Sequence, residues 1–180
     1  MLRAVKLPPF SLTAADGSTV TEADLLGQPH VLYLSRHPGC NICSVQLRRV
    51  ADARMQIREA GGELVIVLPI DARRAGLWRE MEGLEDVIAL ADPAHELYRA
   101  LGAARPRIPL WVLRPSTLLA GVTAVRHGKR PGYSKRDDGL QLGLDAIVAR
   151  DGEIVVLHRA SSPSDRLAPA ELVRRIEGLA

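Results

Sequence analysis

His30-Val31-Leu32-Tyr33-Leu34-Ser35-Arg36-His37-Pro38-Gly39-Cys40-Asn41-Ile42-Cys43 carries an apolar run into a turn and on into the start of a helix. Val31 to Leu34 is uninterrupted by polar residues, as expected of a parallel strand buried on both faces. After the turn, Cys43, Leu47, Val50 and Ile57 fall at spacings that share one side of a helix. The junction lies at the carboxyl end of a strand, where open α/β sheets place ligand chemistry. Cys40 and Cys43 are the only cysteines of the chain. Thiols there can serve as a nucleophile, a redox disulfide, metal ligands or inert core.

Outward from this stretch, strands and helices alternate. Leu7 to Val20 reads as a short hairpin or a pair of extended segments turned at Asp16-Gly17. Thr21 is placed to cap a short helix through Leu26, with Glu22 and Asp24 in its first turn. Leu64-Val65-Ile66-Val67-Leu68 is a second buried-strand pattern. Asp71 to Met81 reads as a helix, Val87 to Leu90 as a strand, and Pro93 to Leu101 as a helix ended by Gly102. Ala146-Ile147-Val148 and Ile154 to Leu157 flank the turn Asp151-Gly152, and a last helix covers roughly Pro169 to Leu179. The pattern predicts an α/β fold: a central mixed β-sheet with helices on both faces, in a single domain over 1–180.

Composition narrows the class. At 180 residues, with 47% hydrophobic and 25% charged residues, the chain suits one full globular core. A net charge of +3 is too mild to indicate nucleic acid. No apolar stretch approaches the ~18 residues of a membrane span, so no membrane partner is expected. Met1 to Lys6 runs at once into Leu7-Pro8-Pro9 and lacks the apolar region of a secretory signal. One CxxC is not the disulfide framework of a secreted scaffold, and the expected location is cytoplasmic.

Cys40 is expected at the helix start, exposed, where unpaired N–H groups and the helix dipole favour a thiolate. Arg36 and a protonated His37 would add to that as cationic neighbours. Cys43 is expected to point inward, so that Cys40 attacks and Cys43 resolves. The bland alternatives are two structural cysteines and a zinc site. Zinc would need two further ligands from His30, His37, His95, His127 and His158, which form no compact His-x₃₋₅-His pair. His37 also reads as a solvent-exposed loop histidine, and Trp78 and Trp111 as core or interface.

Several segments carry a family resemblance. Leu7-Pro8-Pro9-Phe10-Ser11-Leu12, the Asp16-Gly17 turn and Leu25-Leu26-Gly27-Gln28-Pro29-His30-Val31-Leu32 resemble the opening of the alkyl hydroperoxide reductase and thiol-specific antioxidant (AhpC/TSA) superfamily. Arg36 to Cys43 resembles the Gly-Cys-x-x-Cys segment of its peroxiredoxin-like 2 (selenoprotein-U-like) branch. Asp92-Pro93-Ala94-His95-Glu96-Leu97-Tyr98, Leu140-Gln141-Leu142-Gly143 and the Asp151-Gly152 hairpin with His158 extend the likeness over nearly the whole chain. The resemblance implies a thioredoxin-like fold with an N-terminal extension. The chain departs from the peroxiredoxin pattern Pro-x-x-x-Thr/Ser-x-x-Cys: Tyr33 and His37 stand before Cys40, and Arg36 and Cys40 before Cys43. No arginine lies between Gly139 and Asp145, and no proline between Leu140 and Asp145.

The function predicted is a thiol-dependent oxidoreductase that reduces peroxides or disulfides through a Cys40–Cys43 dithiol. It would need no cofactor or metal, and an external thiol such as thioredoxin or glutathione would restore it. The alternative is a non-catalytic thioredoxin-fold scaffold with regulatory cysteines. Residues 108–125, rich in Leu, Val and Ala, read as a covering layer or a homodimer contact. Residues 126–136 read as a basic loop, solvated or else attracting an anionic substrate or a partner's acidic face.

Overall fold

A computed structural model of the chain describes residues 5–126 and 138–179. Among the described residues, seven strands form one sheet in the order β2-β1-β5-β4-β3-β6-β7. They are β1 (Ser11–Ala14), β2 (Thr19–Thr21), β3 (His30–Leu34), β4 (Glu63–Leu68), β5 (Ile88–Ala91), β6 (Leu144–Val148) and β7 (Ile154–Arg159). β3, β4 and β5 run parallel at the centre, and β1 and β6 pair antiparallel to β5 and β3. This is the mixed sheet expected, and its continuous apolar runs are the strands buried on two faces. Alternate residues of each run serve opposite layers. Val31, Tyr33, Leu64 and Ile66 belong to one cluster, and Leu32, Leu34, Val65 and Val67 to the other.

The first layer takes up α1 (Asn41–Asp52), α2 (Arg54–Glu59), α3 (Ala72–Glu82) and α6 (Pro169–Glu177), through Leu47, Ile57, Ala75 and Ile176. The second is closed by α4 (Glu96–Ala100) and the N-terminal segment, through Leu7, Leu97 and Tyr98. The single helix expected after the cysteines is broken at Ala53, which separates α1 from α2. α4 begins three residues later than the sequence pattern indicates. Asp92 accepts the N–H groups of Glu96 at 2.8 Å and Leu97 at 2.9 Å, and His95 adopts φ 55° to bring them there. The predicted cap before the short N-terminal helix is present, a 3₁₀ turn over Glu22–Leu25 with Thr21 and Asp24 in a capping box.

β6 lies against β3 with Leu144 opposite Leu34, so the segment before β6 reaches the turn that follows β3. A buried ion pair closes this end of the sheet. Arg166 bonds Asp145 through Nε at 3.1 Å and also donates to the carbonyls of Leu34 and Leu144 at 3.0 Å. Its guanidinium stacks on Tyr33, 3.8 Å from the ring centroid. Gly143 sits beneath it, where a Cβ would come 2.6 Å from the Leu34 carbonyl oxygen and 1.8 Å from Arg166 Nη1. Gly143→Ala is therefore expected to cost about 1–3 kcal/mol, a loss of several degrees in Tm. Thermal denaturation of the oxidised protein checks this; an unchanged Tm would mean that the strand end is free to shift.

Candidate active site

The turn Ser35 to Gly39 leaves the end of β3 and delivers Cys40 to the first position before α1. Ser35 N–H donates to the Val67 carbonyl at 2.9 Å, and the Tyr98 hydroxyl donates to the Ser35 carbonyl at 2.5 Å. These bonds fix the turn against β4 and α4. Cys40 caps α1, its sulfur accepting the Cys43 N–H at 3.2 Å. Cys40 and Cys43 are joined as a disulfide.

Arg36 is folded back over the bond. Its Nη1 lies 3.2 Å from Cys40 Sγ and 3.9 Å from Cys43 Sγ, so it addresses Cys40 more closely. Nε donates to the Gln141 carbonyl at 2.9 Å, and Nη2 to the Gly139 carbonyl. The indole ring of Trp111 packs on the guanidinium, 4.8 Å away. Arg36 is only 4% exposed. Burial pushes its pKa down from 12.5 to about 10, against the pull of the Asp138 charge, so it remains a cation at neutral pH. With the cysteines oxidised, this buried charge has neutral acceptors and an aromatic face around it. Reduction of the bond would place a thiolate beside it.

The site differs from expectation in exposure. Cys40 is 7% and Cys43 5% exposed, so both cysteines are buried. The cover is α5 (Pro115–Arg126), whose Ala120 packs on Cys40, Ile42 and Cys43. His37 is buried too, rather than lying in a solvated loop, and its carbonyl accepts the Cys40 N–H at 3.1 Å. A groove of about 220 Å³ lies between α1 and α5, lined by residues including Ile42, Val45, Arg49, Leu119 and Ala120. Among the described residues no group of three or more His, Cys, Asp or Glu could hold a metal ion.

The structure thus brings Cys40, Cys43, Arg36 and the backbone of His37 together. It adds Gly139, Gln141, Trp111 and Ala120, which the sequence reading assigned no part in the site. Gln141 stood within the Leu140-Gln141-Leu142-Gly143 segment of the family resemblance, a signal that it belongs near the site. No arginine stands before β6, and the guanidinium that reaches the sulfurs comes from Arg36, on the β3 side. The basic stretch 126–136 lies, apart from Arg126, outside the described residues.

Comparison with known proteins agrees with this architecture. Enterococcus faecalis AhpC superposes with a TM-score of 0.69 at 21% identity, over 98% of this chain and 91% of that one. A cysteine-to-serine mutant of Arenicola marina peroxiredoxin 6 superposes with a TM-score of 0.69 at 14% identity, over 99% and 73%. These likenesses identify the fold as thioredoxin-like, as the sequence resemblance implied. The thiol peroxidase of Streptococcus sanguinis is 34% identical over 84 residues, 46% of this chain, which spans half the length of that relative. The AhpC/TSA family pattern matches residues 4–126, more than half of the chain. With that match, and a Cys40–Cys43 disulfide at the end of its central strand, the chain belongs to the AhpC/TSA family.

Proposed function

We propose that the protein is a peroxiredoxin-like thiol oxidoreductase of the selenoprotein-U-like branch. Its single domain would cycle Cys40 and Cys43 between disulfide and dithiol in the cytoplasm. One observation carries the reading: a buried cation, Arg36, lies 3.2 Å from the sulfur of a helix-capping cysteine. In the reduced protein that cation and the Cys43 N–H both favour a Cys40 thiolate. The Cys40 thiolate attacks the outer oxygen of a peroxide, the O–O bond breaks, Cys40 becomes a sulfenic acid, and the departing alkoxide takes a proton from water to leave as an alcohol. The Cys43 thiol then displaces water to form the disulfide, and two electrons from an external dithiol or two thiols restore the pair. A protein disulfide enters the same cycle by exchange at Cys40. His37 contributes by holding the Cys40 N–H through its carbonyl.

Intact mass tests the cycle. The reduced protein should lose about two mass units on exposure to a peroxide or an oxidised protein and regain them with a thioredoxin or glutathione. A mass that stays constant through both treatments would sink the dithiol reading and leave a scaffold with inert cysteines. Of the two oxidants, the one that acts faster than it does on a free thiol identifies the substrate class.

A further inference from the structure

α5 is built inside out. Its inner side against α1 is small, with Thr117 and Ala124 buried and Ala120 and Gly121 half-buried. Its outer side is aliphatic: Leu118, Leu119 and Val122 are 61%, 69% and 51% exposed. The 3₁₀ turn Leu110–Leu113 extends this face with Leu110 at 66% and Leu113 at 74%. A surface helix normally does the reverse. Single exposed aliphatics need no explanation, but a contiguous set marks a surface that something covers.

Charge indicates what covers it. From Leu97 to Arg126 the sequence contains no Asp or Glu and five Arg. Arg107, Arg114 and Arg126 are exposed around the apolar face. A second copy docked face to face would set these cations against their own kind. A protein partner is a poorer match, because interface anchors favour aromatic residues and under-use Leu and Val. The one tryptophan here, Trp111, is packed on Arg36. Aliphatic side chains rimmed by arginines without acids fit the boundary between headgroups and acyl chains of an anionic bilayer.

We propose that the outer face of α5 and the preceding 3₁₀ turn dock the protein reversibly on an anionic lipid surface. The expectation of no membrane partner rested on the lack of a spanning segment. No helix among the described residues is long and apolar enough to cross a membrane. Docking of this kind lies in the interface plane and needs no span.

The full oxidised chain, mixed with phosphatidylcholine vesicles with and without phosphatidylglycerol, provides the test by co-sedimentation. Binding is expected only to the anionic vesicles and should weaken as salt rises. Leu118→Glu with Val122→Glu should reduce the bound fraction about tenfold or more, since it removes aliphatic insertion and adds repulsion. Met81→Glu, on the most exposed apolar residue of α3, should leave binding unchanged. Circular dichroism and the intact disulfide mass establish that each variant is folded. No binding to anionic vesicles at low salt overturns the proposal, as does equal binding to both vesicle types or an equal effect of Met81→Glu. A concentration-dependent dimer abolished by the α5 variant, without vesicle binding, overturns it in favour of a second copy.

Discussion

Cys40→Ser should reduce turnover with peroxide or disulfide substrates to background, whereas Cys43→Ser should keep the first chemical step. The asymmetry follows from the two sulfurs' surroundings. Cys40 Sγ receives the Cys43 N–H at 3.2 Å and the Arg36 guanidinium at 3.2 Å, while Cys43 Sγ has the same guanidinium only at 3.9 Å. Two charge-stabilising donors at one sulfur make it the better thiolate. Cys43→Ser should consume one equivalent of oxidant and stop as a sulfenic acid or as a mixed disulfide with an added thiol. Labelling with a sulfenic-acid reagent and intact mass distinguish these states. The reverse pattern, with Cys40→Ser oxidised once and Cys43→Ser inert, would assign the attack to Cys43. That outcome has a structural counterpart, because Cys40 then occupies the place of the hydroxyl residue three positions before the family's reacting thiol.

The central strands and the position of the cysteines were legible because both are local. Uninterrupted apolar runs such as Val31 to Leu34 and Leu64 to Leu68 have the short length and pattern of a doubly covered parallel strand. The rest of the site depends on long-range register. Arg36 finds its acceptors at Gly139 and Gln141 because β6 pairs with β3 with Leu34 opposite Leu144, a pairing no local pattern encodes. α5 misled for a different reason. Residues 108–125 read as a covering layer or a homodimer contact; α5 does cover the disulfide, but hydrophobicity alone does not say which side of the helix faces in. Close approach to α1 instead selected the small residues, and the leucines were left outside. The exposure expected of Cys40 failed with the same element, since Ala120 of α5 packs against the cysteine cluster while Arg36 lies over its sulfur.

Arg36→Met should make the disulfide harder to reduce and the reduced protein slower to react. In the oxidised protein the guanidinium is a buried cation whose neighbouring sulfurs are neutral, and burial already pushes its pKa down to about 10. Reduction places a thiolate within its reach, so the cation stabilises the dithiol form more than the disulfide. A hydrogen bond to a charged group is worth about 1.5–3 kcal/mol. For a two-electron couple, losing it should lower the reduction potential by roughly 30–60 mV. Alkylation of Cys40 at neutral pH should slow in parallel, because a smaller fraction is thiolate. Arg36→Lys separates charge from geometry. One ammonium cannot serve Cys40, Gly139 and Gln141 together, so it should recover part of the potential without restoring the rate. Equilibration of wild type and both variants against a glutathione buffer measures the shift. If Arg36→Met leaves the potential unchanged while lowering Tm, the arginine only ties the Gly139 to Gln141 segment to the turn after β3, and thiolate stabilisation must come from the Cys43 N–H alone.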